Sequence, residues 1–160
     1  MGIGMRAQET IRTLNRLIRS CRGAEALCRA SAKTRGATQL RTVLRHRAEE
    51  WGRYGDELQA LVLMLGGEPA TRSATGGLAR RVWLASKALV LGSSEALVLE
   101  EWQSEQQRVL RRYHEALQGY LARRILRTVS VQAARISQRL DQIESLQQEN
   151  AVLAPNAPQV

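Results

Sequence analysis

The chain contains no phenylalanine and few other aromatic residues, with three tryptophans and three tyrosines among its 160 residues. Its core must therefore be built mostly from Leu, Val, Ile and Ala, a composition that suits packing of helix against helix. The sequence also lacks sustained strand-like alternation and the Asn-Gly or Asp-Gly pairs that are typical of hairpins. A chain of this length is sufficient for one all-α domain with a real core.

Cysteine is nearly absent as well, because only Cys21 and Cys28 occur. On one helix they lie about 10 Å apart along the axis, which is too far for a mutual disulfide. We interpret both as small buried residues in a reducing cytoplasm. The first residues lack the apolar run of a signal peptide, and Met5 is an alternative start. The most apolar stretch, 82–99, is too short and too polar to span a membrane, so we expect a cytoplasmic protein with no transmembrane segment.

Basic residues outnumber acidic ones, and the net charge of +9 is uneven along the chain. Residues 1–47 carry 11 basic and 2 acidic side chains, whereas residues 48–122 carry 8 and 10. Of the 24 basic residues 22 are Arg, which indicates either coding bias in a GC-rich bacterium or a basic face for phosphate or an acidic partner.

The segment Leu65-Gly66-Gly67-Glu68-Pro69 divides the chain into two pairs of helices. Glycine supplies the left-handed cap at the end of a helix, and proline prevents its continuation. The pattern predicts a ferritin-like four-helix bundle over 1–149 with a disordered tail at 150–160. Its helices are expected at about 8–33, 38–65, 95–119 and 122–148, and a crossover at 66–92 carries a short helix near 78–91. A single helix over 95–148 is the alternative, which would imply a swapped or extended oligomer.

Each predicted helix has an apolar stripe with one polar residue in its gap. These residues are Glu25, Arg47, Gln106 and Gln132, and we expect them to form an interior polar layer that contains a Glu25–Arg47 pair. Such layers fix the register of a bundle more than they stabilise it. The stripes are expected to bury the following residues: Ile11, Leu14, Ile18, Cys21 and Cys28; Leu40, Leu44, Trp51, Tyr54, Leu58, Leu61 and Leu65; Leu99, Trp102, Val109, Tyr113 and Ala116; and Ile125, Val129, Ile136, Leu140 and Ile143.

Several local segments together resemble a known family. They are Leu14-Asn15-Arg16-Leu17-Ile18 with Gly23-Ala24-Glu25, Glu57-Leu58-Gln59 leading into Leu65-Gly66-Gly67-Glu68-Pro69, Gly77-Leu78 with Trp83 and Lys87, Leu99-Glu100-Glu101 with Tyr113-His114-Glu115-Ala116-Leu117, and Asp141-Gln142-Ile143. Over about residues 9–146 the chain resembles a bacterial ferritin-like four-helix-bundle family of unknown function, domain of unknown function 2383. The resemblance implies a ferritin-like bundle and no established reaction.

A di-iron bundle needs glutamates and Glu-x-x-His pairs from four helices. The candidates for metal ligands are Glu25, Glu49, Glu50, Glu101 and Glu105. The set is incomplete, because helix 4 has no histidine and carries Leu140 where the family tends to have one. His46 and His114 lie among charged residues and are interpreted as solvated, and the sequence contains no nucleophile elbow, Walker A or Cys-x-x-Cys motif.

Arginines recur on one exposed face of helix 1. Arg12, Arg16 and Arg19, extended by Arg41 and Arg45, form a candidate anion-binding face, and Arg123, Arg124 and Arg127 form a second cluster. The leading interpretation is a non-enzymatic structural or interaction protein, stress-related as ferritin-like proteins often are, with no cofactor, an acidic protein as a candidate partner, and a tendency to form a homo-oligomer. One alternative is a redox or iron-handling bundle that binds iron or another divalent metal, and the other is nonspecific nucleic-acid binding.

Overall fold

Four long helices make up the computed structural model, which describes residues 2–33, 38–71 and 95–153. The helices are α1 (Gly2–Ser31), α2 (Thr38–Met64), α3 (Glu95–Gln118) and α4 (Arg123–Leu153). Within these ranges there is no strand, so the all-α fold with four helices is confirmed. The predicted crossover helix at 78–91 lies outside the described residues. None of the described helices is long and apolar enough to cross a membrane.

Contacts at two levels of the bundle show that sequential helices run in opposite directions. In α1, Asn15 contacts the backbone of Glu68 and Ala70 just after α2, while Arg22 reaches back to Asp56. In the second pair, Gln103 donates to Glu144 and Tyr113 donates to Gln132. Both helix pairs are therefore antiparallel.

The contacts between the two pairs fix their relative direction. The Glu50 side chain of α2 pairs with Arg139 of α4, while Glu57 accepts a hydrogen bond from Gln132. Since α4 is antiparallel to both α2 and α3, these two helices run the same way. The connection over 65–94 therefore starts at one end of the bundle and finishes at the other.

The apolar stripes expected from the sequence form the core. Leu14, Ile18, Leu44, Leu58 and Val129 are completely inaccessible to solvent. The predicted stripe residues at the helix ends, Ile11, Leu40, Leu65 and Leu99, are partly buried and pack against this core. Both cysteines are buried and free, as predicted.

The end of α2 has the cap that its two glycines predict. Gly66 has a φ of 75°, in the left-handed region. The Gly66 N–H donates to Leu63 O and the Gly67 N–H donates to Val62 O, both at 3.0 Å. This pair of bonds satisfies carbonyls that the helix itself leaves without partners.

Asn15 fastens the loop that follows this cap. Its Nδ2 donates to Glu68 O at 2.9 Å, and its Oδ1 accepts from Ala70 N at 2.7 Å. Gly67 lies against Ile11 so closely that a Cβ there would be 2.8 Å from Ile11 Cδ1. Two of the segments that carry the family resemblance therefore contact each other in the fold.

Two helix boundaries differ from expectation by several residues. The first helix begins at Gly2 rather than near residue 8, because Met5, Arg6 and Ala7 favour helix and the two early glycines do not stop it. The last helix continues to Leu153, into the segment expected to be a tail, and ends where Pro155 disfavours helical geometry in the residue before it. The break predicted between the last two helices is present, because residues 119–122 separate α3 from α4. The alternative of a single helix over 95–148 is therefore wrong.

Candidate functional site

One chain of hydrogen bonds crosses the middle of the bundle and takes one side chain from each helix. Tyr113 Oη of α3 lies 3.2 Å from Cys21 Sγ of α1 and donates to Gln132 Oε1 of α4 at 2.7 Å. The amide of Gln132 donates in turn to Glu57 Oε2 of α2 at 2.7 Å. Because the tyrosine proton is used toward Gln132, the thiol must donate to the phenol oxygen. We call these four residues the interior chain.

Burial determines the chemistry of the interior chain. Tyr113 and Cys21 are fully buried and Gln132 is 1 % exposed, whereas Glu57 reaches the surface. Burial raises the pKa of the Cys21 thiol to about 12. Burial likewise raises the pKa of Tyr113 well above its usual value. Both groups are neutral at physiological pH, so neither is poised as a nucleophile or base.

A second polar cluster lies between α1 and α2 around Glu25, whose side chain is 4 % exposed. Glu25 Oε2 accepts from Arg22 Nη1 at 3.2 Å, and Glu25 Oε1 accepts from Arg29 Nη2 at 2.7 Å. Arg22 also donates to Gly52 O at 3.2 Å and to Asp56 Oδ1 at 2.6 Å. The buried carboxylate is thus compensated by charge, as a buried ion must be.

Two glycines of α2 provide the space for this cluster. A Cβ at Gly52 would lie 3.4 Å from Glu25 Oε1, and a Cβ at Gly55 would lie only 2.9 Å from Arg22 Cζ. A glycine inside a helix costs about 1 kcal/mol relative to alanine. Two glycines three residues apart in a helix are therefore a signal of a close approach, which sequence reasoning missed.

Arg47 belongs to a different cluster from Glu25. Its Nη1 donates to Glu50 Oε2 at 2.8 Å, while Tyr54 Oη donates to Glu50 Oε1 at 2.8 Å. Although burial opposes ionisation, the hydrogen bonds from Tyr54 and Arg47 hold the pKa of Glu50 below its usual value. Among the described residues, the direct ion pair expected between Glu25 and Arg47 gives way to these local pairs, because arginines three and four residues along α1 reach Glu25 first.

Of the four gap residues, Glu25, Gln106 and Gln132 are buried and the Arg47 side chain is 16 % exposed, and the interior polar layer stays a prediction. Gln132 belongs to the interior chain, and Glu25 and Arg47 have separate partners. Gln106 is 2 % exposed, and within the part of the chain that the structure describes its Nε2 has no hydrogen-bond partner, like the Nε1 of Trp102 one turn earlier on α3. Cys28 lies near this part of α3, and burial raises its pKa to about 12.

The predicted metal ligands are spread over the bundle. Glu49 is 72 % exposed, Glu101 and Glu105 both approach Arg108, and Glu50 holds the contacts given above. In the ranges that the structure describes, no three His, Cys, Asp or Glu side chains are grouped in a way that could hold a metal ion. The metal site stays a prediction.

The predicted anion-binding arginines lie at two ends of the bundle. Arg12, Arg16 and Arg19 are exposed on the first half of α1, beside the end of α2. Arg41 and Arg45 lie near the start of α2, about 30 Å away at 1.5 Å per residue. The arginine that the fold does bring next to Arg16 and Arg19 is Arg112 of α3, which lines a groove together with them.

Over the described ranges, the architecture and interior define an all-α protein with four helices and a hydrogen-bonded polar centre. A family model, described as a domain of unknown function (DUF2383), matches residues 9–119, and the chain belongs to this family. A comparison with curated proteins finds no match.

Proposed function

We propose that this protein is a ferritin-like bundle that acts as a non-enzymatic structural or interaction protein and whose metal site is degenerate. The observation that supports this most directly is the interior chain, which takes one side chain from each helix. In a metal-carrying bundle of this type, carboxylates and histidines from the four helices meet in the interior. Here a protonated thiol, a phenol and an amide occupy such a position and satisfy one another.

The ferritin-like part of the proposal is supported by the direction of the helices. Two antiparallel pairs are joined by one long connection over 65–94, so that α2 and α3 run the same way. Ferritin-like folds are four-helix bundles with one such connection.

The chemistry of the interior chain supports the absence of a reaction. Iron prefers carboxylate and imidazole ligands. Among the four residues of the interior chain, only Glu57 carries a carboxylate, and it lies at the exposed end of this hydrogen-bonded network. Cys21 would have to lose a proton whose pKa burial raises to about 12. Metal binding at this position would therefore break the hydrogen bonds of the interior chain, and the side chains present there would be poor ligands for iron.

The test is elemental analysis of the tag-free protein after anaerobic incubation with ferrous iron, and separately with manganese or zinc. We expect no retained metal, and the same melting temperature with excess metal and with chelator, since a ligand that binds only the folded state raises stability. About two ions per chain, lost in Glu25→Ala and retained in the control Glu100→Ala, an exposed glutamate outside the candidate ligand set, would overturn the proposal.

Self-association is part of the same proposal. Leu63 and Met64 at the end of α2 are 58 % and 49 % exposed, and Leu126 of α4, which lies at the same end, is 40 % exposed. Exposed apolar side chains gathered at one end of a molecule favour contact with another protein surface. Light scattering after size exclusion should give a mass above one chain, and Leu63→Gln with Met64→Gln should reduce it. A monomer at all concentrations would contradict this part.

A further inference from the structure

The groove between α1 and α3 carries arginines that form no ion pair with any described residue. It is lined on one side by Arg16 and Arg19 and on the other by Arg112, and Arg12 continues the row along α1. We call these four residues the arginine surface. Arg112 donates to Ser20 Oγ at 2.7 Å and Arg16 to Thr13 Oγ1 at 3.4 Å, so the guanidinium groups are oriented by neutral hydroxyls.

The arginine surface differs from the other arginines of α1. Arg22 and Arg29 form ion pairs with Glu25, and Arg22 also pairs with Asp56. In the described ranges, no ion pair involves any residue of the arginine surface. Paired arginines serve the fold, whereas a row of unpaired ones creates a positive potential that attracts an anionic partner.

More positive charge gathers at the same end of the bundle. Arg6 of α1 stacks over the exposed ring of Tyr120 at 5.0 Å, which places the start of α1 beside the turn between α3 and α4. After that turn come Arg123, Arg124 and Arg127, all exposed. The sequence from 116 to 140 contains five arginines and no acidic residue. Two clusters that are far apart in sequence therefore share one end of the molecule.

We infer that the arginine surface binds the phosphate backbone of nucleic acid without reading its sequence. From Arg12 to Arg19 the row extends about 10 Å along α1. A DNA strand presents a phosphate every 3.4 Å along its axis, so a row of this length faces several phosphates. Guanidinium groups pair with phosphate through two parallel hydrogen bonds. This inference does not depend on whether the interior binds metal.

Two carboxylates in the groove allow a further test, in which their removal should raise or lower the affinity according to the charge of the ligand. Glu9 and Glu115 line it together with the arginines and lower its positive potential. If the potential attracts phosphate, Glu9→Gln should bind nucleic acid more tightly than the natural sequence. A ligand that needed these carboxylates, such as a polyamine, would respond in the opposite way.

The experiment is fluorescence anisotropy with a labelled 30-base-pair duplex of mixed sequence across a salt series, using the full chain. We expect binding at low salt, with log K falling linearly against log salt. Replacing Arg12, Arg16 and Arg19 by Gln should reduce the slope by up to about 2.7, which makes the affinity loss between 50 and 200 mM salt about 40-fold smaller. The charge-matched control replaces Lys33, Arg45 and Arg53 by Gln and should keep the slope.

All six substituted side chains are exposed, and matching circular dichroism melts will show that each variant is folded. The inference is overturned if the natural sequence shows no binding at about 20 mM salt, where screening is weak. It is also overturned if the control weakens binding as much as the test variant. Equal binding of polyglutamate at matched charge, or binding of anionic vesicles without binding of duplex, would assign the arginine surface to another partner and overturn it too.

Discussion

The change in the free energy of unfolding caused by Gly55→Ala should have opposite signs in the natural sequence and in a variant that lacks the Arg22 side chain. In an open helical position the substitution stabilises by about 1 kcal/mol, because alanine has the higher helix propensity. Here the new methyl group would lie 2.9 Å from Arg22 Cζ and 3.1 Å from its Nε, so the guanidinium must move.

Whether Arg22 can move decides the size of the effect. The guanidinium is the end of a flexible side chain, but that side chain is only 12 % exposed. The guanidinium also donates hydrogen bonds to Glu25 at 3.2 Å, to Gly52 O at 3.2 Å and to Asp56 at 2.6 Å. Overpacking of this kind costs about 1–3 kcal/mol. After subtracting the gain in propensity, Gly55→Ala should destabilise the natural sequence by up to about 2 kcal/mol. In an Arg22→Ala background it should stabilise by about 1 kcal/mol.

The assay is urea unfolding of the four proteins of this cycle, followed by circular dichroism. The coupling between the two sites should be about 1–3 kcal/mol. Gly4→Ala is the matched control, because no atom lies within 4 Å of its Cβ position, and its effect should be the same in both backgrounds. If the two effects of Gly55→Ala agree within about 0.5 kcal/mol, Arg22 is not held in place and the reasoning is refuted.

Three further predictions concern other parts of the fold. Tyr113→Phe should destabilise by about 1–3 kcal/mol in urea unfolding, because Cys21 and Gln132 each lose a buried partner; a cost near zero would contradict the interior chain. Gly66→Ala should cost about 1–2 kcal/mol through its left-handed φ alone, and Gly66→Asn should recover part of it. The lowered pKa of Glu50 means that its contribution to stability is complete above its ordinary pKa of 4.5 and is lost as pH falls through the lower folded value. Glu50→Gln should therefore lower stability at pH 7 and lose less than the natural sequence in urea titrations between pH 5 and 3.

The helices could be predicted from sequence because apolar residues recur every three or four positions along each of them. Every residue of the four apolar stripes is buried or packs against the core. The stop at Gly66 followed from backbone chemistry that is local to a few residues. The start of α1 could not be predicted in this way, because the helix runs through Gly2 and Gly4 ahead of its apolar stripe.

The pairing of polar residues could not be predicted from the same pattern. A stripe shows that Glu25 faces inward, but arginines one turn away on the same helix compete for it, and their reach depends on rotamers. Cys21 and Tyr113 were both predicted as apolar core, and their hydrogen bond depends on the register between α1 and α3. Glu57 could not be found in this way, since an exposed residue gives no periodic signal.

The contacts of Asn15 have a consequence for how this chain can be altered. Its amide supplies one donor and one acceptor to the backbone at 68–70, so the exit from α2 is shaped by a residue more than fifty positions earlier in the sequence. Insertions between 66 and 70 would disturb α1 as well as the loop. Insertions after Thr71 would leave this attachment intact, and that makes the position after Thr71 the better place to join a reporter or a second domain.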